Sequence, residues 1–367
     1  MPISTIRRAA LLGIAMSAAA CDVANFASDP KPIFEQTWNV PALSTSISVA
    51  SLLPAGVSIY STPGSTPPDS SAFQMSIANS GFSRRVGDDC APCQAQNGNT
   101  TTKPAFVLNS GSTSALPANV VGGALVGASV NYTVTNSLSF DPLRVNTVSA
   151  NPQGHMVVVI RSASVVLGRD SVNGATTAFP AGSTVSRSLV LGPGAITAPI
   201  SVDVSLNSPA GDHNEFIDAN GTLNATVAIS NLRVASVLVN VPSQCIANTA
   251  TTLDLAGLDT RITDNVTGAT LEMSIDNPWS VAGNLNVSLA TPAGTVAKQI
   301  ALPATTTPAS TQVRTVSLVA AEVRQLFGHQ VALTMNGVVS STAPVSVTPK
   351  QKVSIADRLI LTIHTGK

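Results

Sequence analysis

Few residues in this chain are of types that do chemistry, so their spacing decides what they can do. Cys90-Ala91-Pro92-Cys93 is a C-x-x-C. Two thiols so placed serve thiol–disulfide exchange, half of a zinc site, or a small structural disulfide. A redox pair needs a strand and a helix around it, and the flanks here are rich in Gly, Asp and Asn. A zinc site wants a second Cys or His pair, and the four His are scattered at positions 155, 213, 329 and 364. The expectation is a Cys90–Cys93 disulfide made in an oxidising compartment. Cys245 is then a buried free thiol or an alternative partner for either one.

The densest acidic stretch is Asp212-His213-Asn214-Glu215, followed by Asp218 and Asn220. Oxygen ligands on a loop suit calcium, which makes Asp212, Asn214, Glu215 and Asp218 a calcium candidate. The spacing is not that of an EF-hand, and Asp218-Ala219-Asn220-Gly221 reads equally well as a hairpin turn. Asn277 and Trp279 suit a binding spot, but an Asn at a strand end more often satisfies a turn and a Trp fills the core beside it. The chain contains no Gly-x-Ser-x-Gly, no phosphate-binding Gly loop, no dinucleotide fingerprint and no His-Glu-x-x-His. The expectation is no catalytic residue, no resident metal and no cofactor, with a secreted hydrolase of an unrecognised type as the enzymatic alternative.

Composition narrows the partners. Lys plus Arg equals Asp plus Glu at 19 each, and 10% of the 367 residues are charged, against about 25% in ordinary soluble domains. Phosphate binding needs a basic patch, so no nucleic-acid partner is expected. Docking on anionic lipid by charge is disfavoured for the same reason. Aromatics are 4%, too few for a stacking platform for bases. Uncharged chains rich in β-branched residues favour strands.

The N-terminus reads as an export signal. Arg7 and Arg8 form a positive n-region, residues 9–16 an apolar h-region, and residues 17–20 are small. The apolar run is too short to span a bilayer. Ala18-Ala19-Ala20-Cys21 resembles the lipobox of bacterial lipoproteins, with Ala18 where Leu is usual. The resemblance implies cleavage before Cys21, acylation of its thiol, and attachment to a membrane facing the periplasm or the cell surface. An ordinary signal peptide cut at the same bond is the simpler reading, and Arg7-Arg8 raises a twin-arginine signal whose flanking pattern is missing.

The rest alternates apolar and polar, as in Ile200, Val202, Val204 and Leu206 or Leu223, Ala225, Val227 and Ile229. Gly and Pro punctuate these runs, as in sandwiches or barrels. Residues 320–327 alone read as a helix, with Gly328 at its end. Residues 127–140 match residues 268–281 without a gap, including Gly127 with Gly268 and Asn136 with Asn277. A period this long means a duplicated domain rather than a solenoid. Downstream, Val185, Leu189 and Leu191 align with Val313, Val316 and Leu318, and residues 227–229 with residues 353–355.

At Asn277-Pro278-Trp279 the second copy resembles the LEA-14 and water-stress (WHy) domain family. The elements are a strand ending in Asn-Pro, paired strands, Pro303 in a turn, a short helix before Gly328, and a strand at 331–335. The resemblance covers about the last hundred residues, and the first copy has Ser137 at the Pro position. It implies a fibronectin-III-like β-sandwich that binds or protects without a catalytic centre.

The expected fold is mainly β: tandem antiparallel β-sandwiches (Ig/fibronectin-III-like) with an irregular N-terminal β segment. The expected division is 1–20 signal peptide, 21–35 tether, 36–118 N-terminal segment, 119–247 first repeat and 260–367 second repeat. The expected function is a non-catalytic envelope lipoprotein, a binding or structural module with stress protection as one role, with a protein or envelope partner that the residues do not name. The main alternative is an outer-membrane β-barrel, which the missing aromatic girdles and terminal aromatic fit poorly.

Overall fold

The alternation seen in the sequence becomes strands throughout the computed structural model, which describes residues 34–62, 64, 71–147, 153–258, 264–304 and 311–365. In chain order the strands begin with β1 (Phe34–Ser48), β2 (Val57–Ile59), β3 (Phe73–Met75), β4 (Ser80–Arg85), β5 (Thr100–Thr102), β6 (Phe106–Ser114) and β7 (Val120–Ser137). They continue with β8 (His155–Ser162), β9 (Val165–Asn173), β10 (Thr184–Leu191), β11 (Gly194–Ile196), β12 (Ile200–Ser208), β13 (Asn214–Phe216) and β14 (Thr222–Val239). Then follow β15 (Gln244–Ala247), β16 (Thr251–Asp254), β17 (Val266–Asp276), β18 (Ala282–Thr291), β19 (Gly294–Leu302), β20 (Gln312–Val319), β21 (Gln330–Ser340), β22 (Val345–Val347) and β23 (Lys352–Thr365). Helices α1 (Val86–Asp89), α2 (Ala91–Ala95) and α3 (Ala320–Leu326) are short. Among the described residues, no helix is long and apolar enough to cross a membrane.

The duplication is visible in the order of the strands. One sheet runs β10-β7-β14-β4 and faces a second that runs β6-β12-β8-β9. In the other half, β20-β17-β23-β1 faces β16-β21-β18-β19, with β15 also paired to β21. The two halves have the same orders, and every ladder is antiparallel. These sheets are open and bury their apolar faces inward, the arrangement of a sandwich rather than a closed lipid-facing barrel. Val130, Tyr132 and Val134 are buried on β7, as are Leu271, Met273 and Ile275 on β17. Glu272 and Ser274 point the other way and are half-buried, as period-two geometry requires.

The structure corrects three expectations. Residues 36–118 are not a unit of their own. β1 is an edge strand of the second half, paired to β23 from Phe34 opposite Thr365 to Ser48 opposite Lys352. β4 and β6 complete the first half, and β3 pairs with β14. Nor is that segment irregular throughout, since residues 81–116 hold part of β4, α1, α2, β5 and all of β6. The alternation at Ile47 and Val49 marks a β segment after residue 35, but not one strand that runs through Pro41; the chain passes Pro41 at a register shift between Val40 and Leu43, where the ladder tolerates a residue without an N–H.

The third correction is one of alignment. Val130 registers with Leu189, and its counterpart Leu271 with Val316. By the same register Val185 corresponds to Gln312, not to Val313, which is 53% exposed. Tyr132 registers with Val227, and its counterpart Met273 with Asp357. Val227 therefore corresponds to Asp357, not to Val353.

Strand β14 ties the halves together. Its whole length pairs with β7, while its other edge takes β4, then β3, then β22 from the second half. At the ends of β7 and β17 the copies share a side-chain latch. The Asn136 Nδ2 donates to the carbonyls of Phe140 and Phe179 at 2.9 and 2.6 Å, and its Oδ1 accepts from the Leu138 N–H at 2.9 Å. The Asn277 Nδ2 donates to Val281 and Pro303 carbonyls at 3.1 and 3.4 Å, and its Oδ1 accepts from the Trp279 N–H at 3.1 Å. Both amides are buried, so the backbone groups they satisfy have no water to fall back on. Asn277→Ala should lower the stability of the protein by on the order of 3 kcal/mol in urea titrations, because it strands buried carbonyls and an N–H. Asn286→Ala, which removes an exposed amide bonded to Asn336 and Gln299, should stay within about 0.5 kcal/mol of wild type. Equal effects from the two substitutions would remove the latch from the account.

Candidate functional site

Cys21 lies outside the described residues. Cys90 and Cys93 are joined in a disulfide and are both buried. Cys90 ends α1, Cys93 lies within α2, and the Cys93 N–H meets the Cys90 sulfur at 3.0 Å. The bridge pins a tight corner against the core. Cys245 is free and exposed rather than buried.

The acidic stretch is consumed by its own surroundings. His213 bridges it, with Nδ1 2.8 Å from Asp212 Oδ1 and Nε2 2.9 Å from Glu215 Oε1. Asp212 also accepts from the Thr147 N–H and hydroxyl. The bond to His213, then those to Thr147, hold its carboxyl well below the usual carboxylate range. Asn214 Oδ1 takes the Thr102 hydroxyl, and Asp218 caps its own turn through the Asn220 N–H. Asp212 and Glu215 thus share His213, while Asn214 and Asp218 turn to Thr102 and to Asn220, and Glu215 Oε2 is buried without a partner. Among the described residues, no three of His, Cys, Asp and Glu converge as metal ligands. Asn277 and Trp279 are core, as the register of the latch demands.

Three polar features escaped the sequence reading. The first is Lys103, 2% exposed, whose Nζ donates to Ser208 Oγ at 2.9 Å and to the Asp141 carbonyl at 3.2 Å. Burial pushes its amine down, against the pull of Glu215, Asp141 and Asp212. A lowered lysine beside a serine hydroxyl is the chemistry of a base and a nucleophile. Ser208, however, is only 1% exposed, so the hydroxyl that would attack does not reach the surface. The pair closes the base of the first sandwich.

The second is Asp357, at the inward position of β23 between Ile355 and Leu359. Neither carboxyl oxygen has a hydrogen-bond partner. Burial alone raises its pKa to about 7. Here the sequence did carry a signal, since Asp357 breaks an unbroken apolar series of Val353, Ile355, Leu359, Leu361 and Ile363.

The third feature opens to solvent. A groove of about 380 Å³ on the first half is lined by Tyr60, residues 126–129, Val190, Leu191, Asn231 and Arg233. Its floor is a break in the β7–β14 ladder. Ser230 pairs with Ser129 and Arg233 with Gly127, so Asn231 and Leu232 together stand opposite Ala128. Asn231 absorbs this bulge at φ +52°, a left-handed conformation that Asn tolerates better than most residues. The bulge brings the Arg233 guanidinium over the Tyr60 ring, 5.3 Å from its centroid. The Arg233 Nε is buried without a hydrogen bond, and no carboxylate among the described residues pairs with the side chain.

No family model matches the chain, and no curated protein does. Two solved structures align along most of it. A candidate secreted protein from Parabacteroides distasonis ATCC 8503 is 8% identical with a TM-score of 0.30, covering 89% of this chain and 99% of that one. A chain of Broad Bean Stain Virus is 8% identical with a TM-score of 0.18, covering 89% and 90%. Scores this low do not establish a common fold.

Asp357 gives a pH dependence of definite sign. Its folded pKa lies above the ordinary 3.8, so its contribution to stability is intact below about pH 4. That contribution is lost as the pH rises to about 7, and the loss then levels off. The full change is on the order of 4 kcal/mol. Asp357→Val, which restores the residue type of the first copy, should therefore stabilise the protein more at pH 8 than at pH 4.5 in paired thermal melts. Parallel pH curves for the two proteins would contradict a buried, unpaired carboxyl.

Proposed function

We propose that the protein is exported, held at a membrane by acyl chains on Cys21, and presents its two sandwiches as a non-catalytic binding module of the cell envelope. The observation that carries this reading is the contrast between its polar features. The Lys103–Ser208 pair and Asp357 are sealed in the cores, whereas Arg233 lies unpaired in an open groove. A half-buried cation facing solvent suits recognition of a ligand.

The tether reading is supported by the short distance from anchor to fold. Residues 22–33 alone separate Cys21 from β1, which is hydrogen-bonded along the second sandwich. An anchor on Cys21 would therefore hold the sandwiches close to the membrane. A stress-protective role is a second reading. It is favoured by Asn277-Pro278 following β17, by the Pro303 carbonyl that accepts from Asn277, and by α3 before Gly328; these are the elements of the LEA-14/WHy resemblance.

Mass spectrometry of the N-terminus, on protein expressed in a bacterial host and recovered from membranes, tests the anchor. The chain should begin at Cys21 and carry acyl mass on it, each buried CH₂ adding about 0.8 kcal/mol of membrane affinity. Cys21→Ser should move the protein to the soluble fraction. An unmodified Cys21 on a protein that is soluble without detergent would overturn the anchor.

A further inference from the structure

Arg233 is the feature with the most chemistry left over. A guanidinium carries five N–H donors and keeps its charge at any physiological pH. Here the guanidinium carbon lies over the Tyr60 ring and Nε is buried without a bond. Nε is closed off from solvent, so a ligand in the groove meets the terminal amino groups of the guanidinium. The N–H donors of a guanidinium lie in its plane, so an acceptor arrives in that plane. Two parallel bonds in that plane match the two oxygens of a carboxylate.

The rest of the groove limits what is attached. Val190 is 76% exposed and Val126 40% exposed, so apolar side chains rim the opening. Ser129 and Asn231 add neutral polar groups, and no second cation lines it. A phosphate dianion would face a single positive charge without the Lys or backbone nest that usually accompanies it. A sugar would need the open face of an aromatic ring, and the ring of Tyr60 is taken. The volume, about 380 Å³, is that of a small-molecule site.

We propose that this groove binds a small organic carboxylate with an apolar body, its carboxylate on the in-plane edge of Arg233 and its body along Val126 and Val190. This deepens the reading of the chain as a binding module, and it does not depend on the anchor. The bulge at Asn231 is then a positioning device, since a regular ladder would not place Arg233 over Tyr60 with its edge free.

The test is calorimetric or NMR titration of the full mature chain with hexanoate, 1-hexanol and inorganic phosphate. Hexanoate should bind saturably with a Kd of about 1 mM, and hexanol and phosphate at least about tenfold more weakly. Arg233→Met should abolish hexanoate binding. Arg233→Lys, which keeps the charge and loses the fork, should weaken it by about tenfold. Val190→Glu sits on an exposed edge and leaves Arg233 and Tyr60 in place; both probes lose an apolar contact, and hexanoate should lose more than hexanol because a like charge is placed at the rim. It therefore keeps the test decisive if an Arg233 variant fails to fold. Phosphate bound more tightly than hexanoate, hexanoate bound equally by wild type and Arg233→Met, or no saturable binding at about tenfold above the expected Kd would each overturn the proposal. An unacylated Cys21 on a protein that still binds hexanoate would remove the anchor and leave the groove.

Discussion

The architecture depends on one buried amide used twice. Asn136 and Asn277 each sit where a long central strand must stop and turn, and each holds the turn from inside. A strand that ends in the core leaves carbonyls and N–H groups that no neighbouring strand can take. Asn alone among neutral side chains of its size offers two donors and an acceptor. Because each amide joins its own turn to a second loop (Phe179 in one copy, Pro303 in the other), it fixes the end of each sandwich as well as the end of a strand. The same donor and acceptor pattern at both positions is the physical content of the duplication.

Around that shared latch the copies have diverged in how they use the core. Tyr132 and Val227 are neighbours in the first sandwich, Met273 and Asp357 in the second. Tyr132 brings a polar atom inward and satisfies it, donating to Asp170 at 2.5 Å. Burial and that bond both raise its pKa. In the second copy the polar atoms have moved to the facing strand and have no partner. A position that accepts Val in one copy does not need a carboxyl to fold in the other. Asp357 is thus a cost carried by the second sandwich, one that protonation lowers by removing the charge while both oxygens stay without partners.

The two sandwiches are not beads on a string. β1 crosses from the N-terminus to close an edge of the second, and β14 carries strands from both. An edge strand left open is a template for further pairing, so covering β23 with β1 protects the fold as well as joining its ends. The same long β14 that bridges the halves carries the bulge beneath Arg233. The groove therefore rests on the most extensively paired strand of the first half, which gives its geometry a rigid base.

The strands, their inward faces and the duplication were legible from residue order, because side-chain period and strand geometry are the same thing. Val130, Tyr132 and Val134 announce a buried face with no knowledge of what they face. The latch was half legible: Asn136 and Asn277 coincide in the repeat, but the carbonyls at Phe179 and Pro303 come from loops 43 and 26 residues away. A β segment around Ile47 was legible, but the place of β1 was hidden, since its partner β23 lies more than 300 residues away in the sequence and Pro41 masks its extent. Arg233 was hidden for a different reason. An arginine at an outward strand position is ordinary in sequence, and only a bulge in one ladder and the arrival of Tyr60 from another strand's end make it a site. Local periodicity is written in neighbouring residues, whereas register, bulges and which edge receives which strand are settled by packing among segments far apart, and there the tertiary structure alone decides.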